Sequence, residues 1–183
     1  MNIARDIVNR SLLLAIGGQA LLIIKRRTLE GRFLPGSTGS NKYSTTPMPM
    51  PFGALTKAVR SSSAVKDLVK SGEAELFTNL RSHNTWIILK GGYEQFRKLS
   101  GRSIDHVNLS WTGKMLRNLK VLHVDPALAS VTLGFSDPRS GEIASYHNEL
   151  GAGKKKVTHK FVGLTAEELS EIGTFAEQIL GKA

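Results

Sequence analysis

Five histidines, at positions 83, 106, 123, 147 and 159, are the side chains best suited to proton transfer or metal ligation in this sequence. Their spacing is not that of metal ligands. The nearest pair, His147 and His159, is separated by a predicted helix end and a charged loop. His147-Asn148-Glu149 sets an imidazole beside a carboxylate, but successive helix residues point in different directions. The run Gly-Ala-Gly-Lys-Lys-Lys at 151–156 has part of a phosphate-binding loop. That pattern needs Gly at 148 and Ser or Thr at 155, where Asn148 and Lys155 stand. It reads as a solvated basic loop. No Gly-x-Ser-x-Gly, His-Glu-x-x-His or nuclease-type acidic pair is present. With no cysteine, a disulfide framework, thiolate catalysis and thiolate zinc sites are excluded. The sequence therefore predicts no catalytic set, no metal site and no cofactor: a binding or structural protein.

The formal net charge of +10 over 183 residues favours contact with nucleic acid or an acidic protein surface. The basic residues are scattered, with runs at 25–27 and 154–156. Arg97, Lys98, Arg102, Lys114 and Arg117 are the candidates for a surface facing DNA or a partner. Their blander reading is a solvated face. Tyr93 and Phe96, near Arg97, are the aromatics placed to stack on bases. No zinc finger, heptad zipper or RNP motif accompanies them. Sequence-nonspecific binding of nucleic acid is thus an alternative function.

The elements that would carry these residues are readable in part. Residues 2–29 predict one long helix, with Ile3, Ile7, Leu14 and Leu21 near one face. Leu13, Ile16, Leu22 and Ile24 widen its apolar stripe beyond what one neighbour covers. Its apolar run, residues 12–24, would span about 20 Å against a hydrocarbon core of about 30 Å, so a buried helix is expected and no membrane contact. Gly17-Gly18 fits a kink or close helix crossing, or a flush fit on another subunit. Residues 31–54 turn rich in Gly, Ser, Thr and Pro, with Pro47, Pro49 and Pro51 at every second position. Proline cannot donate to a central ladder, so this is extended loop or edge structure. It reads as a subunit-contacting arm, with Met48 and Met50 as adaptable apolar contacts. Residues 55–80 predict partial helix with Val65, Leu68 and Val69 on one side. Strands are expected near 86–90, 119–124, 129–135 and 157–162. A helix should start at Asp137-Pro138 and run to Leu150, with Ile143, Tyr146 or His147, and Leu150 inward. Thr165 and Glu168 form a capping box for a last helix, with Leu164 and Leu169 as a hydrophobic staple. The whole predicts a single α+β domain over 1–183: a small, mostly antiparallel sheet packed by N-terminal, middle and C-terminal helices, with an arm at 31–54.

Gly91-Gly-Tyr-Glu-Gln-Phe-Arg-Lys-Leu-Ser-Gly-Arg102, the Leu109-x-x-Thr112-Gly113-x-Met115-Leu116 element, Ala144-x-x-His147 and Phe161-x-Gly163-Leu164 follow one another in a telling order. With the long first helix and the loop beginning Gly31-Arg-Phe, that order resembles the virion-morphogenesis, or tail-completion, proteins of tailed bacteriophages. The likeness covers 1–45 loosely and 86–180 better, and lapses at 46–80. It implies a structural protein of the virion, at the neck or head-proximal tail end, assembled in the host cytoplasm. Such proteins form rings, often six-fold, that end the tail tube and join it to the head connector around the DNA channel. Implied partners are copies of the chain, connector or adaptor proteins, tail tube or terminator proteins, and DNA in the lumen. The family has no catalytic residues to carry over. A ring needs two different matching faces on each subunit. The first helix and the Pro-Met arm are the candidate pair, through Ile7, Leu14, Leu21, Tyr43, Met48 and Met50.

The capping box gives the first test. Thr165→Ala should lower unfolding stability by about 0.5–2 kcal/mol in a urea titration.

Overall fold

The computed structural model describes residues 10–110, 112–151 and 156–181. The chain forms two compact units, one from Met1–Gly39 with Asn108–Ala183, the other from Ser40–Val107. The second is thus a contiguous insert within the first, where the sequence was read as one domain. Among the described residues the fold is α+β with a long first helix, as expected, and its strands divide into two antiparallel sheets.

In the first unit, helix α1 (Arg10–Leu29) is continuous through Gly17-Gly18. A Cβ at Gly17 would lie 2.7 Å from Val131 and 2.9 Å from Val121, so the glycine lets a hairpin cross the helix closely. That hairpin is β4 (Leu119–Asp125) and β5 (Ser130–Phe135), paired from Leu119↔Phe135 to Asp125↔Ser130 with a bulge at Leu122. Ahead of it lies the short helix α5 (Lys114–Asn118), opened by Gly113 in the left-handed region. Met115 and Leu116 drop from α5 into a core with Ile24, Leu119, Ala144 and Phe161. Helix α6 (Pro138–Ser145) starts as predicted, with Asp137 accepting from the Ser140 amide. Helix α7 (Ala166–Leu180) carries the full capping box and packs Ile172 on Ala20 and Ile23 of α1.

Three expectations for this unit change. The helix begun at Pro138 does not stay α-helical to Leu150: Tyr146–Leu150 is a π-helical turn. Its wider winding rotates the face, leaving Tyr146 and Leu150 exposed. Residues 157–162 do not form a strand of the sheet. Their backbone groups are taken by other partners: Asn148 Oδ1 accepts from the Phe161 and Val162 amides, His147 O from His159 N, and Lys160 O from Leu34 N. Leu169, placed for the staple, is exposed, and the contact of α7 with α1 falls on Ile172.

The insert holds a three-stranded sheet in the order β1-β3-β2: β1 (Met48–Pro51), β2 (Ala74–Thr78) and β3 (Thr85–Leu89). Helices α2 (Lys57–Arg60), α3 (Ser63–Lys70) and α4 (Gly92–Leu99) complete it. Its core is Met50, Leu55, Val65, Ala74, Ile87 and Leu89, with Leu68, Val69, Phe96 and Leu99 packed around. The 31–54 segment, expected as one arm, divides. Residues 34–39 are laced to 158–160 by backbone bonds, and 48–51 become an edge strand. Gly92 (φ +63) starts α4 where a Cβ would sit 2.3 Å from Thr46 O.

A buried charge closes the first unit. Arg27 Nη2 donates to Phe161 O at 2.7 Å and Gly163 O at 3.0 Å, while Nη1 pairs with Glu168, whose carboxylate also accepts from the Thr165 amide. Removing one member of such a pair strands the other. Arg27→Ala should cost about 3–5 kcal/mol in chemical unfolding, far more than the same change at exposed Arg26.

Candidate interaction surfaces

Among the described residues no group of three or more His, Asp or Glu is placed to hold a metal ion. None of the described helices is long and apolar enough to cross a membrane.

The outward face of α1 in the first unit carries exposed leucines. Leu14, Leu22 and Leu29 are 44, 59 and 48% exposed. At 100° per residue they fall within about 80° of one another. Gly18 lies on the same line, and a Cβ there would meet nothing within 4 Å. The two glycines therefore differ: Gly17 serves the hairpin, and Gly18 flattens the outer face. Of the expected assembly residues, Leu14 is on this face, Leu21 packs inward against the core, and Ile7 lies outside the described residues.

The other three are in the insert, and their side chains are turned into it. Met50 is in the core with Met48 packed against it. Tyr43 is buried under Arg97, whose guanidinium lies 4.2 Å above the ring. This corrects the reading of the methionines as free contacts: both lie on the core face of the sheet, and the prolines alternate onto the other face.

The basic set is divided between the two units, and one of its members is buried. Arg97 is buried, 3% exposed, and its Nε donates to Ser103 O at 3.0 Å. Helical spacing alone could not show this, because the residue that covers it, Tyr43, is far away in sequence. Lys98 and Arg102 are exposed in the insert. Lys114 and Arg117 are exposed in the first unit, where Lys114 pairs with Asp137 at 3.7 Å and Arg117 Nη1 donates to Thr112 O at 2.9 Å.

One aromatic face was not foreseen. On the insert's sheet, register sets Pro51, Trp86 and Phe77 in one row across β1, β3 and β2, with the Trp86 and Phe77 rings 6.3 Å apart and nearly parallel. An open groove of about 400 Å³ adjoins it, lined by Phe52, Arg60, His83, Asn84 and Trp86 among others. The available signal was Ala74-Glu-Leu-Phe-Thr78, a short strand following a Gly72 turn and facing the clear strand at 85–89.

The motif residues of the resemblance are structural. Leu109, Met115, Leu116, Ala144 and Phe161 share one core. Gly113 and Gly163 hold positive φ, and Asn148 binds the 161–162 backbone. His147 and His159 do come together, with ring centroids 6.4 Å apart, through the π-helical turn. No family model, characterised protein or solved structure matches the chain.

Burial, and next to it the His159 ring, hold the His147 imidazole below its ordinary pKa of 6.5. The unfolded chain therefore binds a proton that the folded chain refuses as pH drops through that range. Stability should be full above about pH 6.5 and fall below it, down to the lowered folded-state value. Urea midpoints measured from pH 7.5 to 5 should show that slope, and His147→Gln should flatten it.

Proposed function

We propose that this chain is a structural subunit of the neck or tail-completion ring of a tailed bacteriophage, ending the tail tube and joining it to the head connector around the DNA channel. The outward face of α1 carries the reading. Leu14, Leu22 and Leu29, with the flat Gly18 among them, are exposed on a helix whose Leu12, Leu13, Ala20, Ile23 and Ile24 are buried. Such a face suits another protein surface. The order of Leu109-x-x-Thr-Gly-x-Met-Leu116, Ala144-x-x-His147 and Phe161-x-Gly-Leu164 supports the family, and Leu109, Met115, Leu116, Ala144, Phe161 and Leu164 of these motifs pack in or against one core. Copies of the chain in a six-fold ring, connector or adaptor proteins, and tail tube or terminator proteins are the partners. The surplus of positive charge suits the DNA that would pass through the lumen. The chain works in the virion without turnover.

A second reading, sequence-nonspecific binding of nucleic acid, is favoured by the Trp86–Phe77 face beside Arg60.

Virions made without this chain should appear in electron micrographs as separate heads and tails, and normally joined particles would refute the ring. A Leu14→Lys, Leu22→Lys variant should melt like the parent yet fail to enter particles. For the second reading, retention on single-stranded DNA should fall steeply with salt and weaken in Trp86→Ala. Absence of retention at low salt removes it.

A further inference from the structure

The two edges of the insert's sheet are built differently. Strands β1 and β3 pair with Met48 opposite Leu89 and Met50 opposite Ile87. Prolines have no amide hydrogen, so the bonds to β3 run through the methionines and Pro49 and Pro51 face away. That edge offers no donor at 49 or 51 and is closed to a further strand.

The β2 edge is open. Just beyond the strand, Lys90 N donates to Glu73 O and Asn79 N to Asn84 O, each at 3.0 Å. Residues 73 and 79 therefore point their backbone groups at β3, and by alternation so do Glu75 and Phe77. Ala74, Leu76 and Thr78 point theirs outward, and β2 is the outer strand. Four of its five residues are exposed, Leu76 and Phe77 by 44% each. Leu80, in the turn that follows, is 88% exposed.

We propose that this edge is an interface between two copies of the chain, paired antiparallel through β2 about a two-fold axis at Leu76. The outward groups are self-complementary in that register. Ala74 meets Thr78 of the second copy, Leu76 meets Leu76, and Thr78 meets Ala74, each pair exchanging both hydrogen bonds. All five strand residues are used. Glu75 comes opposite Phe77 and not opposite another carboxylate. Its own charge is already met by Lys90 Nζ at 2.7 Å, so no unpaired charge is brought to the contact. Sliding the strands by two residues pairs three residues in place of five. One such slip also sets Glu75 against Glu75, a repulsive pairing. The two copies then share a six-stranded sheet whose outer edges are both the proline strand. Growth stops at two, which distinguishes this contact from open-ended strand addition. It is isologous, so it joins copies pairwise and is separate from any head-to-tail contact that closes a ring.

The absence of cysteine makes the test clean. Leu76→Cys in the full chain, under mild oxidation, should give a covalent dimer, while Lys98→Cys on α4 should not. Equal cross-linking at both positions, or none at 76, overturns the proposal. Sedimentation should show the parent dimerising with concentration. Leu76→Pro removes the outward donor while sparing the bonds to β3, and should weaken association about tenfold or more, two hydrogen bonds being lost. Circular dichroism checks that it folds. Leu76→Lys and Leu76→Glu should each be monomeric alone and dimerise when mixed. A parent that stays monomeric, or a dimer indifferent to position 76, rules the edge contact out. Neither result bears on whether heads and tails join.

Discussion

Arg27 holds the first unit together, and it does so against the cost of burying a charge. Desolvation lowers its pKa, and Glu168 acts in the other direction to keep it ionised. The guanidinium fixes two carbonyls, at Phe161 and Gly163, on either side of the turn that leads into α7. Phe161 is fully buried in the main core, so its position depends on where that turn is held. Glu168 is the other half of the device. It closes the capping box of α7 and pairs with Arg27 with the same carboxylate. A single polar cluster therefore sets the end of α1, the entry to α7 and the depth of the core between them.

The surfaces left over follow from how fully the polar residues are used inside. Asn148 is spent on two amides of 161–162, Arg97 on Ser103 and the Tyr43 ring, and Asn118 on Ser140. Each could pass for a functional residue in sequence, and each instead has a structural partner: loop backbone for Asn148 and Arg97, the cap of α6 for Asn118. Among the large exposed apolar side chains are the α1 row in one unit and the Leu76–Leu80 region in the other.

What could be read from sequence was what local physics determines. The α+β class, the end of α1 at Leu29, the Asp137-Pro138 start and the Thr165–Glu168 box all rest on neighbours a few residues apart. The proline strand was legible as edge structure for the same reason. What escaped depended on distant partners. Residues 157–162 have strand-like composition, but Asn148 and the 34–39 loop claim their backbone. Arg97 looked like surface until Tyr43, far back in the chain, covered it. The strand at 74–78 is short, carries a glutamate and lies at an edge, so its apolar content gave little signal. The π-helical turn has no signature in spacing, yet it redirects His147 and Asn148 toward 159–162.

The insert begins and ends at one place. Val107 N donates to Asn41 O at 2.6 Å, which brings the two ends of the 40–107 segment side by side. A segment whose ends meet puts no tension on the chain that hosts it. A shorter loop, a longer one or a different module would fit at that seam, because the gap to be bridged is a single backbone hydrogen bond wide. Novelty can then accumulate within the insert while the Arg27-centred body stays as it is, giving one scaffold a replaceable head.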